Sequence, residues 1–599
     1  MQDDPQPVAN PPTPAVPVLR RPTRLTRIWE ALPAVLRKSL VDYLLLIALM
    51  LCAFFCLRTT PEFAANLPQD AGDFAAPAVN LIEKSQLSVN WFGGTIPPSH
   101  QLGLPLLLVP SYLIFGHFLG NGIYTILCCA LLSVVAVYWI GRQLAGRICG
   151  CLAALFLISH HGFHQFAQKI MSEVPSMMLM ALALGLLLYL RNRKLTYLGY
   201  ISVGVLAGTA FAIRVENALI FLPIFAVLVA GTPHQWVRRT VGVAVGVTPW
   251  LLALLMFNKV HHGSAVRTGF HDYHHFKSAL SVSDALPLFS SRYLTARGYI
   301  QAHGYSNINT QAWDGNPLAL AESTLSQVDN TSSFAHPSKW GNKPKRIYET
   351  AIGLRSILGF VGLFWCFFQW RRNPSAKLMG VWFVVLFLSL FGFFAFFWWQ
   401  EERYLLRLVP FLCVLNGIGP AVLLNSLQRR QSAIYTEAVF CTTTAVLALI
   451  GFLAYYSLTQ QVPQSDDNLV LYESMRRAGE VMESNAVVVT NWDPVRPDAY
   501  IIRGTQRKLL PLIDYDDHAP FVVAKSPDKL LSLMLSGRPA YLLLRNPFDW
   551  QLPPPEFQSL QACGFRFEPI ITVTLPDGRP IGAYVYRVRF DSLPFVISP

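Results

Sequence analysis

The stretch that decides the fold runs from Gln69 to Gly103 and reads QDAGDFAAPAVNLIEKSQLSVNWFGGTIPPSHQLG. It follows the first long apolar segment, and it is the first place where acidic residues stand at the edge of such a segment. Asp70 and Asp73 precede a short amphipathic run, Phe74 to Leu87, which is followed by Gly-Gly, Pro-Pro and a second apolar run. The stretch therefore indicates a loop at a membrane face, with Asp73 as a candidate for chemistry there.

The composition is that of a protein with many membrane spans. Of the 599 residues, 53% are hydrophobic and 14% are charged, whereas a soluble protein has about 25% charged residues. Apolar runs of about 17 to 25 residues, the length of a membrane-crossing helix, recur along the chain. The net charge of +13 does not indicate nucleic-acid binding, because Lys and Arg near span ends set the orientation in the membrane.

Charge placement predicts about eleven spans. The candidates are 40–57, 121–140, 147–160, 174–190, 196–212, 217–231, 240–257, 352–370, 378–397, 405–425 and 434–456. The run 102–116 is short and contains Pro105 and Pro110, so we expect it to lie in or dip into the outer leaflet. The basic groups at the span ends then share the cytoplasmic side of the basic N-terminus, as the positive-inside rule requires. These groups are 142–147, 191–194, 238–239, 371–377 and 429–430.

The fold class predicted is a polytopic α-helical membrane protein with a small C-terminal α/β extracytoplasmic domain. Residues 1–38 are expected to be a disordered, basic cytoplasmic tail. Residues 39–457 form the membrane part, with outer loops at 58–120 and 258–350. Residues 458–599 alternate strand and helix patterns. Strands are predicted at 486–490, 540–544, 570–574 and 583–588, and helices at 469–483, 528–535 and 555–562.

Neither a disulfide framework nor a zinc site is indicated. Of the ten cysteines, only Cys563 lies in a clearly soluble segment, and there is no CxxC pair. The loop 258–350 contains HHGSAVRTGFHDYHHF at residues 261–276. No helix or hairpin arrangement of this segment brings a convincing ligand set together, so a divalent metal remains the minor alternative and no cofactor is predicted.

Ionisable residues collect at the outer ends of several predicted spans. Besides Asp73, they are Glu173, Arg214, Glu216, Glu401, Glu402, Arg403 and Arg407. Such residues are costly at these depths unless they reach water, pair or take part in function. Interfacial snorkelling explains any single one of them. The whole set predicts one cavity lined by acids and arginines, which is the pattern of an active site.

A series of short motifs runs through residues 40 to 425 in a fixed order. After the first span they are Gly72-Asp73, Pro97-Pro98, Phe115-Gly116, Gly141-Arg142, Gly146-Arg147, Ser172-Glu173 and Arg403-Tyr404 with Pro410. Their order and sidedness resemble the integral-membrane glycosyltransferases of the C-type fold. The nearest group is the protein O-mannosyltransferase-like and RgtA/B/C/D-like family, which is also similar to the lipid A aminoarabinose transferases.

The resemblance implies a hexosyl- or pentosyltransferase of the plasma (inner) membrane. Its donor would be a polyprenyl-phosphate sugar, and its acceptor a hydroxyl of a glycan, lipid or protein on the extracytoplasmic face. The family's catalytic first-loop Asp corresponds to Asp73, the acid at the start of the fourth span to Glu173, and the transfer would invert the anomeric centre. The family often has an acid directly after that Asp and a Tyr four positions after it. Here those positions hold Phe74 and Pro77, so the acceptor contacts are expected to differ.

The chemistry of sugar transfer assigns roles to these residues. A base is needed at the acceptor oxygen, and donors or cations are needed around the leaving phosphate. Asp73 is the candidate base; the alternative is an N-cap of a helix that starts at Phe74. Arg403 is the first candidate for the phosphate because guanidinium offers a planar fork of donors. A pair with Glu401 or Glu402 explains Arg403 equally well.

The remaining candidates take supporting roles. Arg214 is the second candidate for the phosphate, with a pair to Glu216 as its alternative, and Lys169 is the third. Glu173 would orient the base or bind the acceptor; alternatively it is an acid favoured by the dipole of a helix start. Three residues are assigned to the acceptor or sugar, namely Tyr404, His100 and Glu402.

Two other functions remain open from the sequence. A transporter or flippase of lipid-linked sugars would show broken, repeated helices, and the chain has no internal repeat. A glycan ligase that uses a polyprenyl-diphosphate donor shares the substrate class, and the sequence separates it poorly from the leading interpretation.

Overall fold

The computed structural model describes residues 34–61, 69–91, 94–96, 98, 100–191, 197–231, 235–262, 265, 353–396, 402–428, 477–490, 502, 505–512, 523, 527–544, 560–571 and 584–590. The N-terminal tail, the predicted span 434–456 and nearly all of the loop 258–350 lie outside these residues.

Helices form the larger part of the described chain. They are α1 Ala34–Leu57, α2 Gln69–Lys84, α3 Gly103–Phe115, α4 Ile123–Ala145, α5 Arg147–Ile158, α6 His161–Ala167, α7 Glu173–Leu190, α8 Tyr197–Ile213, α9 Phe221–Gly231, α10 Trp236–His262, α11 Gly353–Phe368, α12 Pro374–Phe396 and α13 Val409–Gln428. Short 3-10 helices precede α4, α9 and α13, at Leu119–Gly122, Val215–Ile220 and Glu402–Leu408.

Five of the described helical segments are long and apolar enough to cross a membrane. They are Leu40–Leu57, Leu119–Ala145, Glu173–Leu190, Trp236–His261 and Leu405–Leu424. Each coincides with a span predicted from the sequence. Shorter apolar helices of 10–17 residues include Gly103–Phe115, Arg147–Ile158, Tyr197–Ile213 and Pro374–Leu390. The total of about eleven spans therefore stays a prediction.

Small residues let two of the helices pack backbone to backbone. A Cβ on Gly204 of α8 would collide with the Val243 carbonyl oxygen of α10, and one on Gly246 would collide with the Ile201 carbonyl oxygen. Further along, a Cβ on Gly208 would meet the Trp250 ring at 2.8 Å. Such close approach through small residues is the usual packing mode of membrane helices. The register also shows that α8 and α10 run in the same direction.

The first outer loop differs from the prediction. Helix α2 begins at Gln69 rather than at Phe74, so Asp73 lies inside the helix and the N-cap alternative is wrong. A hairpin that was not predicted follows α2; its strands β1 Val89–Trp91 and β2 Gly94–Ile96 pair antiparallel.

The C-terminal region contains a mixed five-stranded sheet. Its strands are β3 Val487–Thr490, β4 Lys508–Pro511, β5 Ala540–Leu544, β6 Phe565–Ile571 and β7 Tyr584–Phe590, in the order β4-β3-β5-β7-β6. β4, β3 and β5 are parallel, while β7 is antiparallel to both β5 and β6. Helix α14, Pro527–Leu535, leads into β5.

The sheet matches most of the predicted pattern. Strands β3 and β5 are buried throughout, because strands covered on both faces are continuous apolar runs. They coincide with the predicted strands 486–490 and 540–544, and β7 with 583–588. Strand β6 begins at Phe565 and not at residue 570. β4 was not predicted, because KLLP is short and combines a charge with a proline.

Candidate active site

Arg214 is shared between two carboxylates at one end of the helical part. It lies between α8 and the 3-10 helix Val215–Ile220, while Glu173 is the first residue of α7. The Nη1 of Arg214 is 3.0 Å from Oε1 of Glu173, and their side chains are 10% and 1% exposed. The Nε of Arg214 is 3.6 Å from Oε2 of Glu216. The predicted alternative, a pair between Arg214 and Glu216, is thus only half of the arrangement.

A hydrogen-bond network fixes the backbone on both sides of this ion pair. Asn217 Nδ2 donates to Ser176 Oγ at 2.8 Å and to the Ala210 carbonyl oxygen at 2.6 Å. Ser176 Oγ in turn donates to the Ser172 carbonyl oxygen at 2.6 Å, and Ser172 Oγ accepts from Arg214 Nη1 at 3.1 Å. The two serines and Asn217 have no exposed surface. Buried polar networks of this kind make the geometry around them rigid.

Sequence reasoning did not select Asn217 or Ser176. A usable signal exists for the serines, because Ser172 and Ser176 are four residues apart and therefore share one face of α7. Asn217 follows Glu216 directly in the run Arg214-Val-Glu-Asn. However, nothing in the sequence shows that this run meets the start of α7.

Arg407 joins the cluster from a third part of the chain. It lies in the 3-10 helix Glu402–Leu408, is 1% exposed, and acts electrostatically on Glu216 together with Arg214 and His100. Removing a guanidinium from water is expensive unless opposite charge lies nearby. The cluster therefore combines two arginines with two carboxylates.

The segment that carries Asp73 lies near the same cluster. Asp73 is half-buried on α2, and the ring of the next residue, Phe74, stacks on the His100 imidazole with centroids 4.3 Å apart. Because His100 also acts on Glu216, the segment that carries Asp73 lies near the charged cluster.

The interior position of Pro77 affects Asp73 directly. Pro77 stands four residues after Asp73 within α2. Proline has no N–H group, so Pro77 cannot donate the i to i−4 hydrogen bond to the Asp73 carbonyl oxygen, and its ring crowds that oxygen. The helix is thus perturbed at the residue proposed as the base.

The structure describes the other predicted residues only in part. Arg403, Tyr404 and Glu402 lie in the same 3-10 helix as Arg407, but their side chains lie outside the described part. Lys169 follows α6, where its Nζ lies 5.5 Å from the centroid of the Phe166 ring. Within the described residues, no group of three or more His, Cys, Asp or Glu is arranged to hold a metal. Most of the His-rich segment 261–276 is not among them.

These features define a class of protein. Helices long and apolar enough to span a membrane, a buried charged cluster at one end of the bundle and a C-terminal α/β sheet match the integral-membrane glycosyltransferases of the C-type fold, and the predicted resemblance is confirmed. A family model described as dolichyl-phosphate-mannose-protein mannosyltransferase matches residues 99–259. That stretch includes Glu173, Arg214 and His100 but not Asp73 or Arg407. No curated protein matches the chain in sequence.

Two solved structures share the fold over nearly the whole chain. The crystal structure of ArnT from Cupriavidus metallidurans in the apo state has a TM-score of 0.53 at 13% identity, covering 92% of this chain and 98% of that one. The crystal structure of ArnT from the same organism bound to undecaprenyl phosphate has a TM-score of 0.50 at 13% identity, covering 91% and 97%. With its apolar helices and this fold, the chain is an integral membrane protein.

Proposed function

We propose that this protein is a membrane glycosyltransferase that moves a sugar from a polyprenyl-phosphate-linked donor to a hydroxyl group of a glycan, lipid or protein acceptor. The observation that carries the proposal is the buried cluster of Glu173, Arg214, Glu216 and Arg407 beside the Asp73 segment. Its support from relatives is the mannosyltransferase family match and the fold shared with the ArnT structure bound to undecaprenyl phosphate.

In the proposed reaction, Asp73 is the general base. Its carboxylate accepts the proton of the acceptor hydroxyl while the hydroxyl oxygen attacks the anomeric carbon. The bond between that carbon and the phosphate oxygen breaks, and polyprenyl phosphate leaves with the electron pair. Attack from the side opposite the phosphate inverts the anomeric centre. General-base catalysis is typically worth about 100- to 10,000-fold in rate.

The arginines would stabilise the leaving phosphate. Its negative charge grows as the sugar departs, and guanidinium groups held in a site shielded from water favour that charge strongly. Arg214 and Arg407 are both buried and have carboxylates beside them. Arg403 and Lys169 are proposed as further phosphate contacts.

The acids and the remaining polar residues would hold the reactants in place. Glu173 is bonded to Arg214, so its proposed role is to orient that arginine and to contact the acceptor. His100, stacked on Phe74 next to Asp73, is proposed to contact the acceptor or the sugar, together with Tyr404 and Glu402. The site is expected on the extracytoplasmic face, because the basic groups at the other helix ends favour the cytoplasm.

The test is a turnover measurement on Asp73→Asn in lipid nanodiscs. The substrates are a panel of radiolabelled polyprenyl-phosphate hexoses and pentoses with a cell-envelope extract as acceptor. We expect the variant to release polyprenyl phosphate at least about 100-fold more slowly than wild type, with an unchanged melting temperature. The matched control is Glu83→Gln, an exposed acid on the same helix, which should retain full turnover.

Three results would contradict the proposal. Release of polyprenyl phosphate at the wild-type rate by Asp73→Asn would exclude Asp73 as the base. Turnover only with polyprenyl-diphosphate donors would indicate a glycan ligase instead. Movement of intact donor across the bilayer without cleavage would indicate a flippase.

A further inference from the structure

Three helix ends meet at the end of the bundle opposite the charged cluster. Asn373, just before α12, donates from Nδ2 to the Leu144 carbonyl oxygen near the end of α4 at 3.1 Å. Arg191, directly after α7, donates from Nη1 to Ser375 Oγ at 3.0 Å. Because α7 begins at Glu173 and has 18 residues, this junction lies about 27 Å along the helix from that carboxylate.

The junction concentrates positive charge. The segments that meet there are 141–147 with sequence GRQLAGR, residue 191, and 371–377 with sequence RRNPSAK. Together they carry six cationic side chains and no acid, namely Arg142, Arg147, Arg191, Arg371, Arg372 and Lys377. Like charges on segments that meet at one junction repel one another. An anion that bridges them would relieve the repulsion.

An apolar surface borders the junction. Helix α11 ends just before Arg371, and near that end it exposes Phe364, Phe367 and Phe368 by 64%, 46% and 72%. Beyond them, Trp370 stacks on Phe367 with centroids 5.7 Å apart, and the Lys377 Nζ lies 5.3 Å from the centroid of the Trp370 ring. Trp and Lys at a helix end, next to an exposed apolar face, are typical of a membrane interface.

The cationic junction and the adjacent apolar surface together indicate the class of ligand. A free phosphate ion would use only the cations, whereas a phospholipid has a headgroup for the cations and acyl chains for the phenylalanine face. Basic pockets between helix ends are known to bind anionic lipid headgroups. Neither feature involves Asp73 or the residues around it.

We propose that this junction binds the headgroup phosphate of an anionic phospholipid, whose acyl chains lie along the exposed phenylalanines of α11. The site is separate from the proposed active site, and the inference does not depend on the proposed function.

The test is native mass spectrometry of the full-length protein titrated in detergent with phosphatidylglycerol or phosphatidylcholine. We expect wild type to bind phosphatidylglycerol more tightly. Arg371→Gln/Arg372→Gln should weaken that binding by about 30-fold, given the usual contribution of two basic residues at an anionic membrane surface. Both arginines are exposed, so the fold should tolerate the change. Arg371→Lys/Arg372→Lys should restore most of the affinity.

Two further measurements separate a lipid from other sources of phosphate and from general charge. Phe364→Asn/Phe368→Asn should weaken phosphatidylglycerol binding by about 10-fold, through lost apolar contact. Arg58→Gln/Lys259→Gln removes two exposed cations near other helix ends and should leave binding unchanged.

Three outcomes would overturn the proposal. They are equal affinity for the two lipids, an unaltered affinity in Arg371→Gln/Arg372→Gln, and displacement of bound phosphatidylglycerol by millimolar inorganic phosphate. The last outcome would indicate a site for free phosphate.

Discussion

Arg214 holds Glu173 at 3.0 Å although 40 residues separate them in sequence, and neither side chain is more than 10% exposed. A buried ion pair contributes little to stability compared with well-packed apolar side chains, and breaking it by removing one partner is costly. Its position at the meeting point of α7, α8 and the 3-10 helix Val215–Ile220 fits the role proposed for the charged cluster. Removing only one member of the pair should therefore cost more stability than removing both.

Arg214→Met should lower the free energy of unfolding by about 3 kcal/mol, because it leaves the Glu173 carboxylate buried without its cation. The double variant Glu173→Gln/Arg214→Met should recover part of that loss, since the Glu173 charge is removed while Glu216 still lacks Arg214. Thermal unfolding in detergent measures the stabilities, and both variants should lack transfer. Additive losses in the double variant would show that the two side chains are not coupled.

Pro77→Ala should reduce transfer without reducing stability. Alanine restores the hydrogen bond to the Asp73 carbonyl oxygen and removes a residue that disfavours a helix interior by about 3 kcal/mol. The restored helix would shift Asp73, and a displacement near 1 Å at a catalytic group costs about 100-fold in rate. Turnover and melting temperature are measured together. Pro110→Ala in α3, where the proline is also inside a helix but exposed, is the control; it should raise the melting temperature and leave turnover unchanged.

Gly103→Ala should disturb the packing beside Arg214. A Cβ at Gly103 would lie 2.6 Å from the backbone nitrogen of Ile213, the residue before Arg214, and backbone cannot move aside as a flexible side chain can. We expect a loss of about 3 kcal/mol in stability and a lower yield of folded protein. Gly380→Ala is the matched control, because its Cβ would meet only Cys366 Cβ at 3.7 Å. Equal stability of the two variants would contradict the close approach of α3 and α8.

The stability of the C-terminal sheet region should fall at both acidic and alkaline pH, and both losses should depend on one hydrogen bond. Tyr541 donates to a carboxylate oxygen of Glu483, and Arg587 Nη2 lies 3.4 Å from the other oxygen. Burial opposes ionisation of Glu483, but the Tyr541 hydrogen bond and the nearby arginines outweigh it, so the pKa of Glu483 is lowered from 4.5. Burial and the bond to Glu483 raise the pKa of Tyr541 from 10.0 to about 12.

The directions of the two pKa shifts determine how the stability of the folded state depends on pH. A lowered pKa of Glu483 favours the folded state above pH ~4.5, and this contribution is lost as the pH falls below that value. A raised pKa of Tyr541 favours the folded state below pH ~10, and this contribution is lost as the pH rises toward ~12. Both effects should be small, because Glu483 and Arg587 are each 44% exposed. Pulse proteolysis of the full-length protein at pH 4, 7 and 11 would measure them. Tyr541→Phe should flatten both limbs, and an unchanged profile would rule the bond out.

Local patterns were sufficient for the five long apolar helices of the described chain and for most of its strands. Apolar length predicts α4, α7 and α10, and the continuous apolar runs predict β3 and β5, because each pattern reflects burial of nearby residues. The hairpin of β1 and β2 was not predicted because its strands have only three residues each and are stabilised by a contact with α2. Asn80 donates from Nδ2 to the Ser88 carbonyl oxygen at 2.8 Å, a tertiary contact that the sequence does not display.

The sequence indicated which types of residue gather at the candidate site, but it did not indicate which side chains pair there. The accumulation of acids and arginines at helix ends pointed to a cluster, but the bond between Glu173 and Arg214 joins two helices whose relative position depends on the whole bundle. The same reason explains why Arg407 was given no role of its own. Its burial depends on how the 3-10 helix Glu402–Leu408 packs against the bundle, and residue type carries no information about that.

The position of β7 has a consequence for how the C-terminal sheet is completed. Of the described strands, β7 is the last in sequence, yet it lies between β5 and β6, where Arg587 pairs with Tyr541 and Phe590 with Phe565. Until the ribosome has released residues 584–590, β6 lacks its partner in the described sheet and the β7-facing edge of β5 is uncovered. A chain that terminates before residue 584 would therefore expose the unpaired backbone N–H and C=O groups of β5, which promote aggregation. Such products are expected to be removed by quality-control proteases.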